Sequence, residues 1–75
     1  MQLDSNFTKI TCEEVTREER EITSLYGRII PSYWNAELEG ISMKGEHIQM
    51  ERYGKTPDEA IKNLFAAMSE ADVTL

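Results

Sequence analysis

The stretch Tyr53-Gly-Lys-Thr-Pro-Asp-Glu-Ala-Ile-Lys-Asn-Leu-Phe-Ala-Ala-Met68 reads as the end of a strand, a stop and the start of a helix. Gly54 offers backbone freedom for leaving a strand. Thr56 is a helix N-cap, with a hydroxyl that can accept from an orphan N–H of the first turn. Pro57 then falls at the first helical position, where its missing N–H costs nothing. Glu59, three residues after the cap, can reach back to the Thr56 N–H and close a capping box, and Asp58 and Glu59 place negative charge at the positive end of the helix dipole. Beyond this start, Ala60, Ile61, Leu64, Phe65 and Met68 recur at helical spacing, with Ala67 and Ala71 widening the stripe. The pattern predicts a helix whose Phe65 and Met68 enter the core while Asp58, Lys62, Asn63 and Glu70 face solvent.

Upstream, the spacing changes from 3.6 to 2. Between Ser32 and Ile41, Trp34, Ala36 and Leu38 alternate with Tyr33, Asn35, Glu37 and Glu39, as in a half-buried antiparallel strand. From Glu46 to Tyr53, Ile48 and Met50 alternate with His47, Gln49, Glu51 and Tyr53. Directly opposed residues of an antiparallel pair point to the same face, so opposed core positions, all even, require residue numbers with an even sum. A three-residue loop of Met43, Lys44 and Gly45 meets this condition, with Gly45 left-handed as a type I turn plus G1 bulge requires. The register then sets Leu38 opposite Met50, Ala36 opposite Arg52, and Glu37 opposite Glu51. The last is a like-charge pair on the open face, destabilising unless a cation sits nearby.

The first 30 residues admit two readings. Phe7 to Val15 suits a strand, at about 7–14, with Thr8, Ile10 and Cys12 on one face. Thr16-Arg-Glu-Glu is a capping-box pattern, and Ile22, Leu25, Tyr26 and Ile29 have helical spacing with Gly27 as a C-terminal stop. Leu25 to Ile30 also fits a strand ending at Pro31, because the residue before a proline favours extended geometry. The favoured expectation is a polar turn or short helical piece around Arg17 to Arg20, followed by a strand over about 22–30. Together these elements predict a single α+β domain over residues 1–75, a three- or four-stranded antiparallel sheet with a C-terminal helix packed on one face.

Composition narrows the function classes. A chain of 75 residues with 40% hydrophobic and 29% charged residues is ordinary globular material with a small core. One cysteine, Cys12, leaves no intrachain disulfide and too few soft ligands for a structural zinc site. No basic leader precedes an apolar run, and no segment approaches the roughly 20 apolar residues of a membrane span. The expected setting is cytoplasmic, with no membrane partner. Eight basic against fourteen acidic residues give a net charge of −6. That sign is wrong for holding a phosphate backbone, so no direct nucleic-acid binding is expected.

Tyr33-Trp34, Gly54-Lys55-Thr56-Pro57-Asp58-Glu59-Ala60 and Asn63-Leu64, within the portion from Leu25 to Met68, resemble the small domain of HicB antitoxins and related stand-alone proteins. That resemblance implies a layout similar to a double-stranded-RNA-binding fold. It also implies a protein-binding half, without the DNA-binding segment such proteins usually append, that covers a small basic toxin. RNA binding is not carried over, because the helix begins with Asp58 and Glu59 in place of basic residues.

Nothing in the sequence assembles a catalytic set. His47 is the sole histidine, Cys12 has no identifiable partner, and the glycines lie dispersed in turns, so neither an enzyme, a metal site nor a cofactor is expected. The candidate partner-binding residues are Tyr33, Glu37, Glu39, Glu51 and Tyr53 on the open sheet face, with the acidic segment containing Glu13, Glu14, Glu18 and Glu19. Acidic groups would steer a basic protein partner, a toxin or a nucleic-acid-binding protein, and the tyrosines would supply anchoring area. Two other readings stay open: a phage or mobile-element inhibitor that imitates nucleic acid, and a structural homo-oligomer paired through its sheet edges.

Overall fold

Three antiparallel strands in the order β1-β2-β3 form the sheet, with β1 at Lys9–Glu14, β2 at Trp34–Ile41 and β3 at His47–Gly54. Helix α1 spans Arg17–Leu25 between β1 and β2, and α2 spans Pro57–Glu70 after β3. This computed structural model describes residues 1–25, 27 and 33–75, and among these the side chains other than those of 22–25. No helix among the described residues is long and apolar enough to cross a membrane.

The hairpin forms in the register that parity demands. Leu38 lies opposite Met50, Ala36 opposite Arg52 and Glu37 opposite Glu51. Gly45 has φ +86° and donates its N–H to the Ser42 carbonyl at 2.8 Å. The Ser42 hydroxyl accepts from the Lys44 and Glu46 N–H groups at 3.2 and 3.0 Å, so this buried serine is satisfied inside the turn. On the other side of β2, Ile10 pairs with Leu38 and Cys12 with Ala36, which puts the even-numbered residues of all three strands on one face.

Helix α2 covers that face. Thr56, extended at φ −134°, accepts the Glu59 N–H on its hydroxyl at 3.1 Å. The return bond from Thr56 N–H to the Glu59 carboxylate does not form among the described residues, so only half of the expected capping box is made. Ala60, Leu64, Ala67 and Met68 are buried. At about 100° per residue these four share one stripe, from whose centre Phe65 is turned by more than a quarter of a turn. Phe65 is accordingly 45% exposed, against the expectation that it would be core. Ala71 is exposed as the C-cap rather than part of the stripe. Asn63 is exposed as expected, and its side-chain amide also donates to the Tyr53 carbonyl at 2.8 Å, tying the helix to the end of β3.

The region after β1 differs from the favoured reading. In place of a short helical piece and a strand from 22, residues 17–25 are one helix. Its start is the capping-box pattern read in the sequence. Glu19 N–H donates to the Thr16 hydroxyl at 3.1 Å and Thr16 N–H to the Glu19 carboxylate at 3.0 Å, a reciprocal capping box that satisfies two orphan donors at once. Gly27, at φ +75°, follows the helix as the expected stop. Residues 26 and 28–30 of the expected strand lie outside the described residues.

The core joins Ala36 and Leu38 of β2, Ala60, Leu64 and Met68 of α2, and Leu3 and Val73 from the two ends of the chain. Ile10, Cys12, Trp34, Ile48, Met50 and Ile61 pack around it, partly buried. Leu3 is held by backbone bonds on both sides. Its N–H donates to the Thr74 carbonyl, while Met43 N–H and Asp4 N–H donate to the Gln2 and Ile41 carbonyls at 2.9 and 2.8 Å. Residues 1–4 thus lie between the C-terminal segment and the end of the β2-β3 hairpin.

Candidate protein-binding face

With α2 on the even-numbered face, the odd-numbered residues of the three strands compose the opposite one. The pairings arrange them in rows across the sheet: Glu13–Asn35–Tyr53, Thr11–Glu37–Glu51, Lys9–Glu39–Gln49, and finally Ile41–His47. Four carboxylates and a single lysine therefore occupy the strands of this face. Glu13, Glu37 and Glu39 line a shallow trough of about 210 Å³ with Lys9 and Thr11.

Among the described residues, amide groups and no lysine or arginine hold the like-charge pair. Gln49, diagonal to Glu37, donates its side-chain amide to the Glu37 Oε1 at 3.0 Å. Asn35, diagonal to Glu51, donates to the Glu51 Oε2 at 3.4 Å. Neutral donors among the described residues orient the two carboxylates, so the like-charge pair keeps its cost there. Glu39 is met by His47 Nε2 at 3.2 Å, an ion pair only when the imidazole is protonated. Each of these carboxylates keeps further acceptor positions for an ammonium or guanidinium group.

The structure gathers part of the candidate set and separates the rest. Glu13, Glu37, Glu39, Glu51 and Tyr53 share the odd-numbered face, with Glu13 and Glu39 exposed and Glu37, Glu51 and Tyr53 half-buried. Tyr33, just before β2, is 51% exposed, and the Arg20 guanidinium lies 4.5 Å from its ring centroid, which connects α1 to the sheet. Glu14 has the opposite parity, paired with Trp34, and points away from this face. Glu18 and Glu19 are in the first turn of α1, where Glu19 is committed to the capping box. The continuous acidic segment of the sequence is thus divided in space. Asn35, Gln49 and His47, absent from the candidate set, prove to hold its carboxylates. Their signal was available, because the register that opposes Glu37 to Glu51 also fixes these diagonal neighbours.

Among the described residues, no group of three His, Cys, Asp or Glu is placed to hold a metal ion. Cys12 lies partly buried with its thiol 3.9 Å from the Pro57 carbonyl. The arrangement supplies a fixed, flat array of acceptors with one tyrosine in the outermost row and another beside it. Comparison with family models, with curated proteins and with solved structures returns no match.

Proposed function

We propose that this chain is a small binding module that neutralises or regulates a basic protein partner, in the manner of a HicB-like antitoxin domain, and that the open sheet face is its contact surface. The observation that carries this reading is the cross-strand Glu37–Glu51 pair, oriented by Gln49 and Asn35 and backed by Glu13 and Glu39. Like charges set opposite each other weaken a sheet, and a fold under no other demand has no reason to keep them there. A partner's lysines and arginines would neutralise them. Tyr53 and Tyr33 beside the acidic band offer rigid anchoring area.

Capture from a lysate of the source cells, with the chain immobilised, tests the reading. A basic protein should be retained at about 0.1 M salt and released at about 1 M, as the Debye length falls from about 10 Å to about 3 Å. The variant carrying E37Q, E39Q and E51Q should fail to retain it. Retention by that variant equal to the parent, or no basic partner at either salt, contradicts the proposal.

A further inference from the structure

The open face is not uniformly acidic. At the end where β2 leaves the sheet, Phe7 and Ile41 line a shallow cleft of about 270 Å³ with Lys9, Glu39, Gly40 and His47. Phe7 is 63% exposed and Ile41 36% exposed. The phenyl group is nonetheless carried on ordered backbone. Phe7 N–H donates to the Asp4 carbonyl at 3.1 Å, the Thr8 hydroxyl donates to the same carbonyl at 2.7 Å, and Asp4 N–H donates to the Ile41 carbonyl at 2.8 Å. Main-chain bonds fix this turn, and Phe7 contributes no side chain to the buried core. An aromatic group held in place and left in water is the arrangement of an interface anchor.

Lys9 and Glu39 line both this cleft and the acidic trough of Glu13 and Glu37, so the two are continuous. We infer that the face takes an extended basic protein segment: an apolar side chain seated against Phe7 and Ile41, and lysine or arginine two and four residues from it along the segment, over Glu39 and Glu37. The spacing follows from β2 itself, where Ile41, Glu39 and Glu37 succeed one another every second residue, about 7 Å apart, the period of any extended chain laid along it. Charge selects the occupant. A second copy of this chain, with net charge −6, would set acid against acid, and nucleic acid or an anionic membrane would be repelled. The inference rests on the proposed function and adds the partner's sequence pattern to it.

Titration of the full-length ¹⁵N-labelled chain with two synthetic peptides tests it. Both alternate lysine with serine; one carries a leucine two residues before its first lysine and another two residues after its last, and the other has serine at both places. The leucine peptide should bind about tenfold more tightly, equivalent to about 1.4 kcal/mol, with amide shifts at Ile41 and Glu39. F7S should abolish that advantage while leaving the affinity for the serine peptide unchanged, and its own spectrum reports that the fold is kept. I41T provides a second reading at the same cleft. Equal affinity for the two peptides, or an advantage that survives both substitutions, overturns the inference while the proposed function stands on binding at Glu37 and Glu51. Sedimentation of the free chain as a dimer with these two side chains covered also overturns it. Binding of neither peptide removes both readings.

Discussion

At Gly54 a Cβ would come within 2.3 Å of the Ala60 nitrogen and 2.8 Å of the Ala60 Cα, a clash with backbone that no side-chain movement relieves. Gly54 does not have the positive φ seen at Gly27 and Gly45, so clearance for α2, rather than backbone freedom, is what the position requires. G54A should therefore destabilise the fold by about 2–3 kcal/mol, read as a lower midpoint in urea unfolding. Sequence reading identified the residue and assigned it the other property of glycine, because close approach depends on a helix that has not yet been placed. Asp72 shows the converse. At φ +57° it ends α2 in a Schellman arrangement, its N–H donating to the Ser69 carbonyl and Val73 N–H to the Met68 carbonyl. Glycine usually marks that stop, and aspartate in its place conceals it in the sequence.

At the scale of elements, the β2-β3 hairpin was legible in full because two constraints, the period of 2 and the left-handed Gly45, admit one register. Its cost is testable. E51Q removes the charge opposite Glu37 and keeps an oxygen for the Asn35 amide, so it should stabilise the sheet by about 0.2–1 kcal/mol. That gain, measured as a rise in melting temperature, should shrink at high salt and should accompany weaker retention of a basic partner. A loss of stability would show that the two carboxylates do not repel. Helix α1 was less legible. Its apolar residues fit a helix or a strand ending before Pro31, and the reciprocal box between Thr16 and Glu19 starts the helix in either reading without fixing where it ends.

Over the whole molecule, the two ends of the chain close the core. Leu3, 2% exposed, and Val73, 8% exposed, join a cluster otherwise built from β2 and α2. No periodicity announces this, since the bridge between Gln2 and Thr74 spans nearly the full sequence and each partner segment is too short to carry a pattern. L3A should cost about 2–5 kcal/mol, a large share of the stability of a domain this size, and should lower the urea midpoint without altering the peptide-binding residues. The same architecture leaves the odd-numbered face, with its acidic rows, outside the core. The most direct test is the map of amide shifts in the labelled chain titrated with oligolysine. The open-face account predicts salt-reversible shifts at Glu37, Glu39, Gln49 and Glu51, and shifts confined to Glu18 and Glu19 of α1, or none, would contradict it.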